Sequence, residues 1–228
     1  MSTEMPPSGK DPTTAAKLQI LATEHWSLLA TRTLTYNESL SRVTIFLSIL
    51  SGAVIALALV AQVSRFGWAF IAIAIPLLSI VVVTGISTIG RLMQLNGDDF
   101  RWVVGMNRLR RAYIDLHPEL EPYFITGLYD DLPGALQTIG YPIATGRRVG
   151  TVLHTLRTLP GMLSVIVASV VGAIGALAAL ALGLPSPAVV IVAGAAFVIA
   201  MVWLTLWGRR GLRRPDPSLE PRFPSPPR

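Results

Sequence analysis

Residues 20–63 read ILATEHWSLLATRTLTYNESLSRVTIFLSILSGAVIALALVAQV. The first part, 20–42, carries Glu24, His25, Arg32, Asn37, Glu38 and Arg42, whereas 43–63 holds no Asp, Glu, Lys or Arg. At 1.5 Å per residue, about twenty uncharged residues make an α-helix long enough to cross roughly 30 Å of hydrocarbon. Upstream, Leu18, Leu21, Ala22, His25, Leu28 and Leu29 recur at three and four, which gives a helix one apolar stripe. No Gly or Pro falls between Thr14 and Gly52, so the spacing predicts one helix passing from a polar foot into an apolar span.

Residues 68–89, 162–182 and 188–207 are equally free of charge and equally long. Charged residues make up 14% of the chain, well below the roughly 25% usual in soluble domains. The fold class expected is therefore all-α: an integral membrane protein with four transmembrane helices plus amphipathic cytoplasmic helices. The first 42 residues show no basic n-region, short apolar core and small-residue cleavage site, so no removable signal peptide is expected. With no cysteine in the sequence, disulfides, thiolate metal sites and a cysteine nucleophile are excluded together.

Basic residues predict the orientation, because short loops rich in Lys and Arg stay cytoplasmic. Four precede the first span, eight lie between the second and third, six follow the fourth, and Arg65 alone lies between the first and second. Both termini and the middle segment are thus expected in the cytoplasm. The links 64–67 and 183–187 are turn-sized, which leaves almost nothing outside on which to build a receptor or a secreted-substrate enzyme. The organisation expected is a disordered N-terminus over 1–13, a cytoplasmic amphipathic helix over 14–42, a first hairpin over 43–89, a cytoplasmic helical segment over 90–160, a second hairpin over 161–207 and a basic, Pro-rich disordered tail over 208–228.

Within the middle segment, Asn96, Gly97, Asp98 and Asp99 read as a helix start, and Trp102, Val103, Met106, Leu109, Tyr113 and Leu116 follow at helical spacing until His117 and Pro118. Residues 117–146 are punctuated by Pro and Gly and read as loop with short helix at most; 147–159 read as a further amphipathic helix, broken by Pro160 and Gly161. Pro76 predicts a kink in the second span. GAVIALALVA at 52–61 and GAIGALAALA at 172–181 match at six positions, so a parallel duplication is geometrically open. Rows of small residues, Ala168, Gly172, Ala176 and Gly175, Ala179, Gly183, are expected to pack helices closely.

Catalytic patterns are not found. His25, His117 and His154 are far apart and share no helix face at ligand spacing, and the adjacent pairs Asp98–Asp99 and Asp130–Asp131 suit caps and turns better than paired acid and base work. No cofactor or metal is expected, and the arginines hug span ends rather than forming a nucleic-acid patch. What remains is a polar cluster on the first helix: His25, Arg32, Tyr36, Glu38 and Arg42. It reads as a seam locking cytoplasmic helices together; the alternative is a small anion or headgroup site made by Arg32, Arg42 and His25.

EHWSLLATRTLTYNES, the span after it, and DDFRWVVGMNRLRRAYIDLHPELEPYF resemble a group of small bacterial integral-membrane proteins of uncharacterised role, over roughly 18–140. An amphipathic helix leading into a hairpin is also distantly similar to the two-span membrane effectors of bacterial defence systems, from which this chain departs in having four spans. The resemblance implies a multi-pass protein of the bacterial plasma (inner) membrane and brings no activity, so no catalytic residue is carried over. The function expected is a non-enzymatic, self-associating integral membrane protein whose helical cytoplasmic platform serves protein or lipid interaction; the alternative is an oligomeric channel or pore-forming effector. The partners expected are the lipid bilayer, anionic headgroups and further copies of the chain.

Overall fold

The computed structural model describes residues 12–140, 158–211 and 219–226. The described residues form helices and connecting turns, with no strand among them. The helices are α1 (Pro12–Ser64), α2 (Trp68–Leu116), a 3-10 helix (Pro118–Tyr123), α3 (Leu132–Ile139), α4 (Leu159–Ala181) and α5 (Ser186–Gly211). Of these, α1, α2, α4 and α5 are long and apolar enough to cross a membrane.

The chain divides into two compact units. The first takes residues 1–35, 98–145 and 215–228, and the second takes 36–97 and 146–214.

In the second unit, α1 and α2 run antiparallel. Phe46 packs at Gly85, and Glu38 meets Arg91. All four long helices fill its core: Phe46 and Ala53 from α1, Val81, Ile89 and Leu92 from α2, Leu163 and Val167 from α4, and Leu204 from α5. Gly172 and Gly175 on α4 let the backbone of α5 approach, since a Cβ on them would lie 3.1 Å from the Ala193 carbonyl oxygen and 3.0 Å from the Ala196 Cβ. Gly52, its counterpart in the matching decapeptide, has open space beside it. At the far end of α5, Trp207 packs at Gly90 and stacks on Trp203 at 5.7 Å, with 14° between ring planes. The turn from α1 to α2 places Arg65 and Phe66 at φ 47° and 59°, a region that costs a side-chain-bearing residue on the order of 1 kcal/mol each. Bonds from the Arg65 amide to the Ala61 carbonyl at 2.9 Å and from the Gly67 amide to the Ser64 carbonyl at 2.9 Å hold it there.

In the first unit, α1 and α2 again run antiparallel, with His25 near Tyr113, Leu28 at Gly105 and Arg32 on Asp99. Val103, Val104, Met106 and Ala135 form its apolar core, packed by Leu28, Phe100 and Leu219.

Several boundaries differ from those read in the sequence. Asn96–Asp99 do not start a helix, because α2 runs unbroken from Trp68 to Leu116, through Pro76 and Gly97. The acidic pair serves ion pairing instead: Asp98 accepts from Arg101 at 3.3 Å and Asp99 from Arg32 at 2.6 Å. Pro160 and Gly161 fall in the opening turn of α4. Pro is accommodated in the first turn of α4, where its missing N–H is no loss, and the Thr158 hydroxyl accepts the Gly161 amide at 3.3 Å. The amphipathic helix read at 147–159 falls outside the described residues up to 157, as do 1–11 of the N-terminus. Residues 219–226, read as disordered tail, are bonded into the first unit.

Gly85 is the tightest point of the second core. A Cβ there would collide with Val167 and lie 2.9 Å from the Phe46 ring, and both neighbours are at most 1% exposed. Gly85→Ala is expected to destabilise the protein by about 1–3 kcal/mol. Gly97→Ala, with nothing within 4 Å, is expected to gain up to about 1 kcal/mol from helix propensity. Thermal unfolding of the two variants in detergent separates these signs.

Candidate functional site

The polar cluster read on α1 divides between the two units. Glu38 and Arg42 face each other in the second unit, where Glu38 Oε1 accepts from Arg42 Nε at 2.8 Å. Arg91 of α2 completes the group by two bonds to the same carboxylate, Nε to Oε1 at 3.0 Å and Nη2 to Oε2 at 3.1 Å. The Arg91 and Arg42 hydrogen bonds hold the Glu38 carboxyl down to about 2, so it stays ionised under any ordinary condition. Tyr36, in the same unit, is 62% exposed.

His25 and Arg32 belong to the first unit. Arg32 donates to Asp99 through Nε at 2.6 Å and Nη2 at 3.3 Å, a fork-on-fork pair that a lysine cannot reproduce. The His25 ring sits 6.2 Å from that of Tyr113, and its Nδ1 is buried without a hydrogen-bond partner, as is Trp102 Nε1. Burial first, and then the Arg110 charge, lower the His25 pKa and keep the imidazole neutral at pH 7. Burial also lowers Arg110, helped by Arg32, and its Nη1 donates to Asn107 Oδ1 at 2.8 Å. Arg32 and Arg42, the two arginines expected in an anion site, thus each hold a carboxylate. Among the described residues, no group of three His, Cys, Asp or Glu side chains comes together as a metal site.

The most connected polar centre of the first unit lies elsewhere. Asn107 on α2 is fully buried and both ends of its amide are bonded: Nδ2 donates to the Tyr129 carbonyl at 2.7 Å, while Oδ1 accepts from Arg110 and from Thr138 Oγ1 at 2.9 Å. That ties α2 to the 127–131 loop and to α3. Next to it, Asp130 is 1% exposed. Its Oδ2 accepts from Arg108 Nε at 2.7 Å and from the Arg222 amide at 2.8 Å, and its Oδ1 accepts from the Phe223 amide at 2.7 Å.

Asp131 caps α3 by accepting the Gly134 amide at 2.9 Å. It also takes the Ser225 amide on Oδ2 and the Ser225 hydroxyl on Oδ1, both at 2.8 Å. Gly134 must be glycine, because a Cβ would run into the Tyr129 carbonyl.

Sequence reading placed the two aspartates in a turn but missed the segment they hold. The local signal was present: Asp131, Pro133 within the first turn, and Gly140 at φ 75° closing the C-terminus spell a short capped helix. No periodic pattern links residue 130 to residue 223.

Burial alone would raise the Asp130 pKa, yet the Arg222 amide, the Arg108 guanidinium and the Phe223 amide together hold it below its ordinary value. A carboxyl depressed in the fold stabilises above its unfolded pKa and loses that contribution as pH falls through the folded one. The contribution of Asp130 is therefore expected to be level at neutral pH and to decline once pH drops below about 3.8, the ordinary value. In Asp130→Asn the decline should be shallower and the melting temperature at pH 7 lower. Thermal unfolding against pH measures both.

Comparison with protein-family models, with curated proteins and with solved structures yields no match, so the functional reading rests on the residues themselves.

Proposed function

We propose that this chain is a non-enzymatic, multi-pass protein of a bacterial inner membrane that self-associates through its apolar helices and presents its polar unit in the cytoplasm as an interaction platform. One observation carries the reading: of their most apolar 18-residue windows, only 11% is buried in α1 and 6% in α5, against 33% in α2 and 39% in α4. Apolar surface on that scale is covered by lipid, by another protein, or by both. On α5, Gly194 has open space beside it and shares an uncovered face with Ile191, Val198 and Val202. On α1, Gly52 is likewise open and shares a face with Ile45, Ile49 and Leu59. Small residues amid large ones let a second helix approach in lipid, where packing rather than water drives association.

Common sidedness of 12–35, 98–140 and 219–226 is supported by two sets of contacts: Arg32 on Asp99, and the tail amides on Asp130 and Asp131. The arginine distribution favours the cytoplasm as that side. The pore reading gains less. Ser48, Ser79, Thr84, Thr88, Ser164, Ser169 and Thr205 each donate to a carbonyl four residues back in their own helix, so these hydroxyls need no water-filled path.

Gly194→Leu tests self-association, because a Cβ added at Gly194 has nothing within 4 Å. Energy transfer between labelled copies in liposomes is expected to fall while thermal stability in dilute detergent stays unchanged; undiminished transfer in both Gly194→Leu and Gly52→Leu would remove these faces from the interface. Orientation is read separately. The chain has no cysteine and Tyr123 is 79% exposed, so Tyr123→Cys in intact spheroplasts should resist an impermeant thiol reagent and react after lysis.

A further inference from the structure

Residues 219–226 read LEPRFPSP, and every main-chain N–H that Arg222, Phe223 and Ser225 own is donated to an oxygen of Asp130 or Asp131. The prolines between them, Pro221, Pro224 and Pro226, have no N–H to leave unpaired and restrict the segment before it docks, which lowers the entropy lost on binding. Carbonyls are met as well: Arg108 Nη2 donates to the Glu220 oxygen at 2.8 Å, and the Asp130 amide to the Phe223 oxygen at 3.2 Å. The Ser225 hydroxyl adds a bond to Asp131, and Leu219 packs on Val103, Val104, Met106 and Ala135. Contacts of this kind read an irregular peptide: main-chain groups matched one by one, one apolar anchor, one hydroxyl.

The acceptor is built from parts that hold together on their own. Asp131 is fixed by capping α3, Asp130 by Arg108, and the loop before them by Asn107. We propose that the Asp130–Asp131 turn is a peptide-recognition site whose ligand class is a proline-punctuated segment of the form Leu-x-Pro-x-x-Pro-Ser, and that the chain's own residues 219–226 occupy it as a releasable strap. A competing segment of the same chemistry displaces the strap. A phosphate on Ser225 releases it too, because a dianion there faces two carboxylates. The proposal does not depend on self-association or on which side of a membrane the unit faces.

The test uses the full-length chain in detergent micelles, with spin labels on cysteines introduced as Leu132→Cys and Pro226→Cys, both exposed positions in a chain with no native cysteine. A narrow, short distance distribution is expected. Adding synthetic LEPRFPSP in excess should cause loss of the short distance, and the same peptide phosphorylated at its serine should not. Asp131→Asn keeps a good cap for α3 but offers an amide where the Ser225 N–H needs an acceptor; it should lose the short distance with the helical circular dichroism intact. The proposal is overturned if the short distance persists under saturating peptide, if Asp131→Asn leaves it in place, or if both peptides compete equally. Dilution with unlabelled chain should leave the distance unchanged; its disappearance would mean that the strap comes from a second copy and would overturn occupation in cis.

Discussion

A helix satisfies its own backbone hydrogen bonds, and for that reason nothing obliges it to stop where its apolar side chains do. α1 runs for 53 residues and α2 for 49, each far longer than an apolar span needs. Both carry an uncharged stretch into a charged one without a break. The charged stretches then require partners of their own. In the first unit Arg32 of α1 grips Asp99 of α2, and in the second Glu38 of α1 grips Arg91 of α2. Both contacts are two-pronged, which fixes rotation as well as separation and explains the use of arginine where lysine would give a point charge.

Polarity in the first unit is concentrated rather than spread. Asn107 and Asp130 are buried, but each side-chain oxygen of the two and the Asn107 Nδ2 has a hydrogen-bond partner, which offsets the cost of burying them. His25 Nδ1 and Trp102 Nε1 are different, being buried with no partner. The neutral state of His25 follows from that: an imidazolium at the same place would face both desolvation and Arg110. The unit thus has one saturated polar centre, at the α2–α3 junction, and one unsaturated edge, on the α1 side.

How much of this was legible depended on the range of the signal. The four apolar helices follow from length and lack of charge, properties of contiguous residues, and the unbroken α1 follows from the absence of Gly and Pro before Gly52. Asn96–Asp99 misled because a capping signature and an acidic patch look alike in sequence; the difference is whether the carboxylates turn to backbone amides or, as here, to Arg32 and Arg101. Glu38 with Arg42 was readable at four-residue spacing, whereas Arg91 was not, because 53 positions separate it from Glu38. The tail was the largest miss. Its prolines suggest disorder by composition, yet they are also what suits it to a site that counts amides, and only the fold brings residue 223 to residue 130.

The ion pairs raise an apparent conflict with the orientation argument. Arg32, Arg42, Arg91, Arg101, Arg108 and Arg111 all hold carboxylates, so a count of free charge on the folded protein would weaken the case for a cytoplasmic face. Orientation is decided during insertion, however, before helices pair, and it responds to Lys and Arg near span ends with little regard for Asp and Glu. On the proposed orientation, folding then neutralises arginines that sorting used. On the proposed orientation the same residue type therefore serves two roles at different times: sorting during insertion, and carboxylate pairing in the fold.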